Sequence, residues 1–159
     1  MATIHLMVGF MGFGKTTIAA DLAEKLPAVC LTHDNYMVAL YGRDLPEDEF
    51  RKKYMIVDEM LWDIAQQIIR CRTDVIMDYG FWSKEKRAEA YKKALQITPD
   101  VVFHNVLCDM STAKKRLLHR SATDLKTLAI DENCFNMLSK QFEPMDASEE
   151  YPTICHENF

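Results

Sequence analysis

Residues 9–16 constrain the fold of this chain more than any other stretch of its sequence. They read GFMGFGKT, which satisfies the pattern G-x-x-x-x-G-K-[ST]. The apolar run at residues 4–8 ends at the first glycine, as a short buried strand would. From residue 15 to residue 26, apolar side chains recur every four positions, as on one face of a helix. Because a glycine-rich turn between a strand and a helix lets backbone N–H groups converge on anionic oxygens, the sequence predicts a phosphate-binding loop.

The loop residues predicted to bind a nucleoside triphosphate offer either a backbone N–H group or a polar side chain. They are Gly9, Gly12, Phe13, Gly14, Lys15, Thr16 and Thr17. We expect Lys15 to contact the β- and γ-phosphates and the Thr16 hydroxyl to ligate Mg²⁺. The helix that begins near Lys15 would add the positive end of its dipole. The alternative interpretation is a glycine-rich turn with an incidental lysine.

Short apolar runs alternate with helical patterns along the rest of the chain. Further strands are predicted at residues 28–31, 74–77, 101–107 and 153–155. Further helices are predicted from Pro46 to about residue 68, from a Ser83 cap to about 95, from a Ser111 cap, and over 131–142. Met55, Met60 and Met137 fall in helical patterns and are expected in the core. Strands that alternate with helices indicate an α/β domain, in which both faces of a parallel sheet are covered.

Composition excludes several classes of protein. The 159 residues, with 48% hydrophobic content, fit one domain, and no apolar run is long enough to span a bilayer. The net charge of −5 disfavours a general nucleic-acid coat protein. Five cysteines without a C-x-x-C pair, and an N-terminus without a signal-peptide pattern, favour reduced thiols and a cytoplasmic location. The Cys30–His33 and Cys155–His156 pairs have no regular spacing, so a zinc site is not expected.

Other signatures narrow the class of nucleotide-binding protein. The sequence has no N-K-x-D or D-x-x-G motif, which disfavours a GTPase, and no L-S-G-G-Q transporter signature. It is also too short for an oligomeric motor ATPase with an extra helical domain. The remaining class is the small kinases, in which one domain binds ATP and a lid closes over the acceptor.

Three stretches together carry a resemblance to a known family. They are Gly9–Thr17, Asp34 after the second predicted strand, and the sequence VIMDYGFWS at residues 75–83. The chain is similar, as far as about Arg120, to small AAA-type P-loop ATPases and kinases such as zeta toxin, chloramphenicol phosphotransferase and polynucleotide 5′-kinase. This resemblance implies a three-layer α/β/α P-loop fold with a mostly parallel sheet and strand order 2-3-1-4-5. It also implies one kinase-like domain over 1–159, with a short helical lid at about 116–130.

The resemblance implies that Asp34 accepts the proton of the attacking hydroxyl. The alternative is that Asp34 only caps the following helix, since aspartate is a favoured N-cap residue. Related kinases often carry an arginine three residues later, but this chain has Met37 there. That departure argues against a polynucleotide substrate.

Three other polar positions are candidates for the same site. Asp78 ends the third strand and resembles a Walker B acid, which would hold Mg²⁺ through water or orient the acceptor; the alternative is a turn residue. Arg116 and Arg120 lie four apart on one helix face, and the resemblance implies that such lid arginines neutralise charge on the transferred phosphoryl group. The alternative is a solvated basic face. Phe81 and Trp82 either pack in the core or line an apolar acceptor pocket.

The sequence therefore predicts a kinase that transfers the γ-phosphoryl group of Mg·ATP to a hydroxyl of a small molecule. One alternative is a kinase acting on a nucleoside or on a 5′-hydroxyl polynucleotide. The other is a non-catalytic module, in which ATP orders the lid and exposes a partner surface.

Overall fold

The computed structural model describes all 159 residues of the chain. The chain forms five strands: β1 (Ile4–Val8), β2 (Val29–Thr32), β3 (Val75–Asp78), β4 (Val101–Leu107) and β5 (Thr153–Glu157). Six helices accompany them: α1 (Lys15–Lys25), α2 (His33–Tyr41), α3 (Glu47–Arg70), α4 (Lys84–Leu95), α5 (Met110–Thr123) and α6 (Glu132–Ser139). None of these helices combines the length and the apolar character that crossing a membrane requires.

The strands form one sheet in the order β2-β3-β1-β4-β5, and every neighbouring pair is parallel. Ile4 of β1 pairs with Val75 on one side and with Val101 on the other, so β1 is the central strand. All strands therefore end at the same edge of the sheet, where parallel α/β sheets bind their ligands. This order confirms the strand order that the resemblance implied.

Two apolar clusters cover the two faces of the sheet. On one face, Leu6 and Phe103 pack with Leu61 of α3 and Ala94 of α4. On the other face, a second cluster is formed with residues of α1, α5 and α6; its buried members include Met7, Ala19, Leu117 and Phe135. The three-layer α/β/α architecture predicted from the sequence is confirmed.

Local capping explains where the helices begin. Ser83 caps α4 as predicted, since its hydroxyl accepts a hydrogen bond from the Lys86 N–H at 3.1 Å. The predicted Ser111 cap of α5 is wrong. Asp109 takes that position, because its carboxylate accepts from the Thr112 N–H at 2.7 Å and so satisfies an otherwise free donor of the first turn.

The expectation that Met55, Met60 and Met137 lie in the core is also wrong. Their exposed fractions are 66%, 52% and 57%. In α3 the buried stripe contains Val57 and Leu61 instead. Met55 precedes Val57 by two positions, about 200° around the helix, and therefore faces solvent.

A chain of three histidines crosses the face of the sheet that carries α1 and α5. His5 Nδ1 lies 2.9 Å from His104 Nε2, and His104 Nδ1 lies 2.9 Å from His156 Nε2. At the other end, His5 Nε2 lies 3.4 Å from a carboxylate oxygen of Asp74. Burial lowers the pKa of all three imidazoles, and that of His104 falls to about 4. The chain joins β1, β4 and β5 through their side chains.

The segment predicted as a lid comprises the end of α5 and the loop that follows it. Arg43, between α2 and α3, donates to the carbonyl oxygens of Ser121 at 2.6 Å and Thr127 at 3.0 Å. The Ala129 N–H donates to the Arg43 carbonyl at 2.9 Å. These bonds hold the predicted lid against the connection between α2 and α3.

Candidate active site

The glycine-rich loop runs from the end of β1 to the start of α1, as the sequence predicts. Gly12 has a φ of +81°, and a Cβ there would collide with the main chain of Ala113 in α5. Only glycine therefore permits the loop to pass so close to α5. At the start of the loop, the Gly9 N–H donates to the Gly80 carbonyl at 3.1 Å, which joins the loop to the segment after β3.

Lys15 folds over this loop. Its ammonium group donates to the carbonyl oxygen of Phe10 at 2.9 Å. Burial lowers the pKa of Lys15, while the carboxylates of Asp78 and Asp34 act in the opposite direction and the charge of Arg120 lowers the pKa further. These influences place one cation and two carboxylates around the lysine.

The other predicted loop residues differ in burial: Phe13 is buried, whereas Thr16 and Thr17 are exposed. Phe13 is buried and packs edge-on against Phe10, with ring centroids 6.2 Å apart. Thr16 and Thr17 are exposed in the first turn of α1. Both residues thus lie at the surface beside the loop.

Asp78 connects three elements at the ends of the strands. Its side chain is only 4% exposed, and one carboxylate oxygen accepts from the Thr16 hydroxyl at 2.9 Å and from the Thr32 hydroxyl at 3.0 Å. Burial raises the pKa of Asp78, and the Lys15 charge and the two hydroxyl donors oppose that shift. Asp78 is therefore a buried, shared acceptor, which an ordinary turn residue is not.

Asp34 lies in the first turn of α2. The helix begins at His33 with Thr32 at the N-cap position, and no side-chain cap bond is made. The interpretation of Asp34 as the N-cap is therefore wrong. Its carboxylate is exposed, and its charge acts on both Lys15 and Asp78.

The two candidate arginines of α5 have different surroundings. Arg120 is exposed, and its charge acts on Lys15. Arg116 donates to the main-chain carbonyl of Asn158, just after β5, at 2.9 Å, and lies 3.5 Å from the Cys108 sulfur. The structure brings Arg120 towards the phosphate loop, whereas Arg116 joins α5 to the end of the sheet.

Beside Asp34 lies a group of four rings that we call the aromatic cluster: His33, Tyr54, Tyr79 and Phe81. The ring centroids of His33 and Tyr54 are 3.8 Å apart, and those of His33 and Tyr79 are 5.0 Å apart. Tyr79 stacks on Phe81 at 5.2 Å with an interplanar angle of 2°. Trp82 points elsewhere: it is half-buried, and its ring packs on Phe10 at 4.9 Å, against the second apolar cluster.

Two polar atoms of the aromatic cluster are buried without a hydrogen-bond partner. They are the Nδ1 atom of His33 and the hydroxyl of Tyr79. Burial raises the pKa of Tyr54 and Tyr79, and the nearby Asp58 carboxylate adds to both shifts. Burial lowers the pKa of His33, which Asp34 and Asp58 partly oppose. The charges that act on this cluster are thus negative.

Asn158 belongs to the loop environment but was missed from the sequence. Its side-chain amide donates to the Phe13 carbonyl at 2.8 Å, across 145 positions of the chain. A lone asparagine after a short C-terminal strand carries no local signal of such a contact. Only the sheet order, which lays β5 beside β4, could have indicated it.

The sequence matches the model of a known protein family. A family model described as an AAA domain matches residues 4–145. No curated protein matches the sequence.

Several solved structures have the same fold. A candidate kinase from Chloroflexus aurantiacus J-10-fl gives a TM-score of 0.74 at 17% identity, over 98% of this chain and 88% of that one. A gluconokinase from Sinorhizobium meliloti 1021 gives 0.59 at 16% identity, over 98% and 82%. The APS kinase of Mycobacterium tuberculosis, solved with AMPPNP and APS, gives 0.62 at 17% identity, over 97% and 88%. At these identities, the likeness shows that the chain has a P-loop kinase fold.

Proposed function

The chain belongs to the AAA domain family, and from that premise we propose that it is a kinase acting on a small molecule. It would transfer the γ-phosphoryl group of ATP to a hydroxyl group of the acceptor. One observation carries the proposal: Asp78 links Thr16 of the phosphate loop to Thr32 at the end of β2, with Asp34 two residues further on. This arrangement supports a nucleotide site and a proton-accepting carboxylate at the same edge of the sheet.

The phosphate side is supplied by the loop and by two cations. Backbone N–H groups of the loop, other than that of Phe13, which donates to the Phe10 carbonyl, and the N-terminus of α1 offer donors and a positive dipole to the phosphates. Lys15 would exchange its contact with the Phe10 carbonyl for a phosphate oxygen. Arg120, whose charge already acts on Lys15, would stabilise negative charge on the transferred group. Arg116 would act less directly, because Asn158 already occupies it.

The residues also fit a magnesium ion. Thr16 is exposed, and its hydroxyl lies 2.9 Å from a carboxylate oxygen of Asp78, which provides the hard oxygen ligands that Mg²⁺ prefers. Thr16 would hold the ion directly and Asp78 would hold it through water. When bound, the ion neutralises charge on the β- and γ-phosphates.

Asp34 would serve the acceptor. Its exposed carboxylate makes no cap bond and is free to accept the proton of the attacking hydroxyl. The acceptor oxygen forms a bond to the γ-phosphorus while the bond from that phosphorus to the leaving oxygen of ADP breaks. The proton remains on Asp34 until solvent removes it.

The aromatic cluster favours an uncharged or cationic acceptor. The charges acting on His33, Tyr54 and Tyr79 come from Asp34 and Asp58. Aromatic faces contribute apolar area and attract cations, whereas the carboxylates repel an anion. The position at which related kinases carry arginine is Met37, which is fully buried. These features argue against a polynucleotide acceptor.

The test is transfer of label from γ-labelled ATP, with Mg²⁺, to a panel of acceptors. The panel contains sugars, amino sugars, aminoglycosides, chloramphenicol-like alcohols, nucleosides and 5′-hydroxyl oligonucleotides. We expect Asp34→Asn to bind ATP normally and to lower transfer by roughly 10²- to 10⁴-fold. Asp63→Asn, an exposed carboxylate on α3, is the matched control and should behave as wild type.

Each outcome has a defined meaning. Label on an amino sugar or a neutral alcohol that depends on Asp34 would support the proposal. Transfer to oligonucleotides that weakens steeply with salt would favour the polynucleotide alternative. Tight ATP binding without any transfer would contradict the kinase and favour an ATP-gated binding module.

A further inference from the structure

We propose that Asn158 is a positioning residue of the nucleotide site, which holds the peptide between Phe13 and Gly14 so that its N–H group faces the phosphates. The inference rests on the proposed function, since it assigns a role in binding the phosphates of the nucleotide. It concerns a residue beyond the stretch at 4–145 that the family model matches.

The contact is direct and closely packed. The Asn158 side-chain amide donates to the Phe13 carbonyl at 2.8 Å. Gly14 has a φ of +92°, and a Cβ at that position would collide with the same amide group. The amide therefore lies against the last turn of the phosphate loop, immediately before Lys15.

Peptide planarity converts this bond into an orientation. The C=O of Phe13 and the N–H of Gly14 belong to one rigid plane and point in opposite directions. A donor that holds the carbonyl on one side therefore directs the N–H to the other side. Gly14 donates no hydrogen bond from this N–H within the protein, so the group is available to an anion at the start of α1.

Asn158 is itself held from two sides. Its N–H donates to the Leu107 carbonyl at 2.9 Å, which continues the pairing of β5 with β4. Its carbonyl accepts from Arg116 at 2.9 Å. These two main-chain bonds fix the residue, so that its side chain reaches Phe13 in one orientation. Arg116 thus becomes a positioning residue that acts through Asn158.

Two substitutions test the role of the amide. Asn158→Ala removes the donor, and Asn158→Asp replaces it with an oxygen of similar shape that repels the Phe13 carbonyl. Both leave the main-chain bonds of residue 158 in place, so the strand pairing should survive. Asn136→Ala on α6, an exposed asparagine, is the matched control.

The readout is the equilibrium affinity for two probes, Mg·ADP and inorganic pyrophosphate, measured by calorimetry beside the melting temperature. We expect Asn158→Ala to raise the Kd of both probes by about 5-fold, the effect of one lost hydrogen bond. Asn158→Asp should raise both by roughly 20-fold or more, because it adds a negative charge beside the phosphates. Asn136→Ala should leave both unchanged.

Equal losses for the two probes would support the proposal, since pyrophosphate has no base or sugar. A loss for ADP alone would overturn it, because Asn158 would then contact the nucleoside. Unchanged affinity for both probes in folded variants would also overturn it. If Asn158→Ala fails to fold, Asn158→Leu, which keeps a side chain of similar size and has neither a donor nor a charge, carries the same test. A wild-type protein that binds neither probe would defeat the proposed function together with this inference, whereas normal wild-type binding isolates the failure to Asn158.

Discussion

At the phosphate loop the polar side chains are held by partners, whereas at the aromatic cluster two buried polar atoms have none. Lys15 is bonded to Phe10, Thr16 to Asp78, and Asn158 to Phe13. In the aromatic cluster, by contrast, His33 Nδ1 and the Tyr79 hydroxyl make no well-formed hydrogen bond. Buried polar groups without partners cost free energy, so proteins seldom retain them without a reason.

The difference matches what each side would bind. Every nucleoside triphosphate presents the same anionic phosphate oxygens, so a loop with fixed N–H groups can be organised before the ligand arrives. An acceptor must be recognised by groups that are free to bond it, and unpartnered atoms provide such groups. We infer that preorganisation is concentrated on the phosphate side and selectivity on the acceptor side.

Lys15→Ala should break the phosphate side with the largest effect. Removing the ammonium takes away a charge-assisted donor to the β- and γ-phosphates, so we expect transfer to fall by about 10³-fold. ATP affinity should also fall, which calorimetry would measure. Lys25→Ala, at the exposed end of the same helix, is the control. Near-normal turnover in Lys15→Ala would contradict the assignment of this loop.

Arg87→Met should destabilise the acceptor side, because Arg87 supports the main chain of Phe81 in the aromatic cluster. The Arg87 guanidinium is fully buried, forms a two-point ion pair with Glu149 at 2.6 and 2.8 Å, and donates to the Phe81 carbonyl at 2.8 Å. Phe81 has a φ of +47°, a conformation that its neighbours must hold. Loss of Arg87 leaves Glu149 buried and uncompensated, so the free energy of unfolding should fall by about 3 kcal/mol or more.

Urea denaturation would measure this loss, with Arg51→Met, an exposed pair on α3, as the control. The comparison predicts that ADP affinity of the folded Arg87→Met protein stays close to wild type while acceptor KM rises. A parallel loss of both would show that the two sides are not separable.

Acid should weaken the part of the sheet formed by β4 and β5. In the folded protein the pKa of His104 is lowered from 6.5 to about 4, because burial and the neighbouring His5 and His156 disfavour a second charge. The unfolded chain therefore binds protons first, and stability present above pH 6.5 is lost as the pH falls towards 4. From pH 7 to 5.5 the loss from His104 alone is about 1 kcal/mol.

Hydrogen exchange at β5, compared with α2 and α3 across this pH range, would locate the loss. We expect β5 to lose protection first, because His156 links it to the chain of histidines. His104→Leu should flatten the pH dependence, whereas His119→Gln, an exposed residue of α5, should not. Equal slopes in all three proteins would contradict the assignment to His104.

Tyr79→Phe should have the smallest effect on stability. Its hydroxyl makes no well-formed hydrogen bond and interacts only with the Asp58 carboxylate, so removing it should change the free energy of unfolding by less than about 1 kcal/mol. The acceptor KM should rise if this hydroxyl bonds the acceptor, while ADP affinity stays constant. Tyr91→Phe, on α4 and packed against Tyr151 with the two rings tilted by 46°, is the matched control. A marked loss of stability would show that the hydroxyl is bonded after all.

Local patterns were sufficient for the phosphate loop, for the strands and for the α4 cap, because each is decided by residues close in sequence. The loop needs Gly12 and Gly14 within a few positions of Lys15, and the Ser83 cap needs only the N–H three residues later. The strand order came from the resemblance rather than from periodicity. It is confirmed by the sheet.

Two helix caps were assigned to the wrong residue because neighbouring residues compete for the cap position. One contact was missed because its two residues lie far apart in sequence. Asp34 and Ser111 are both reasonable caps, but Thr32 and Asp109 begin those helices instead. Met55 and Met60 were misplaced because an apolar residue in a helical pattern need not lie on the buried face, which in α3 contains Val57, Leu61 and Ala65. The contact of Asn158 with Phe13 joins residues far apart in sequence, and no motif near either residue predicts it.

The histidine chain also has a direction. Asp74 can only accept, so His5 must carry its proton on Nε2 and receive a bond at Nδ1. His104 must then donate from Nε2 and accept at Nδ1, and His156 must donate from Nε2 in turn. One carboxylate at the start of β3 thereby selects the tautomer of three imidazoles on three strands. A single Asp74→Asn substitution removes that polarity, and ¹⁵N spectra of the imidazoles would show all three rings exchanging between tautomers together.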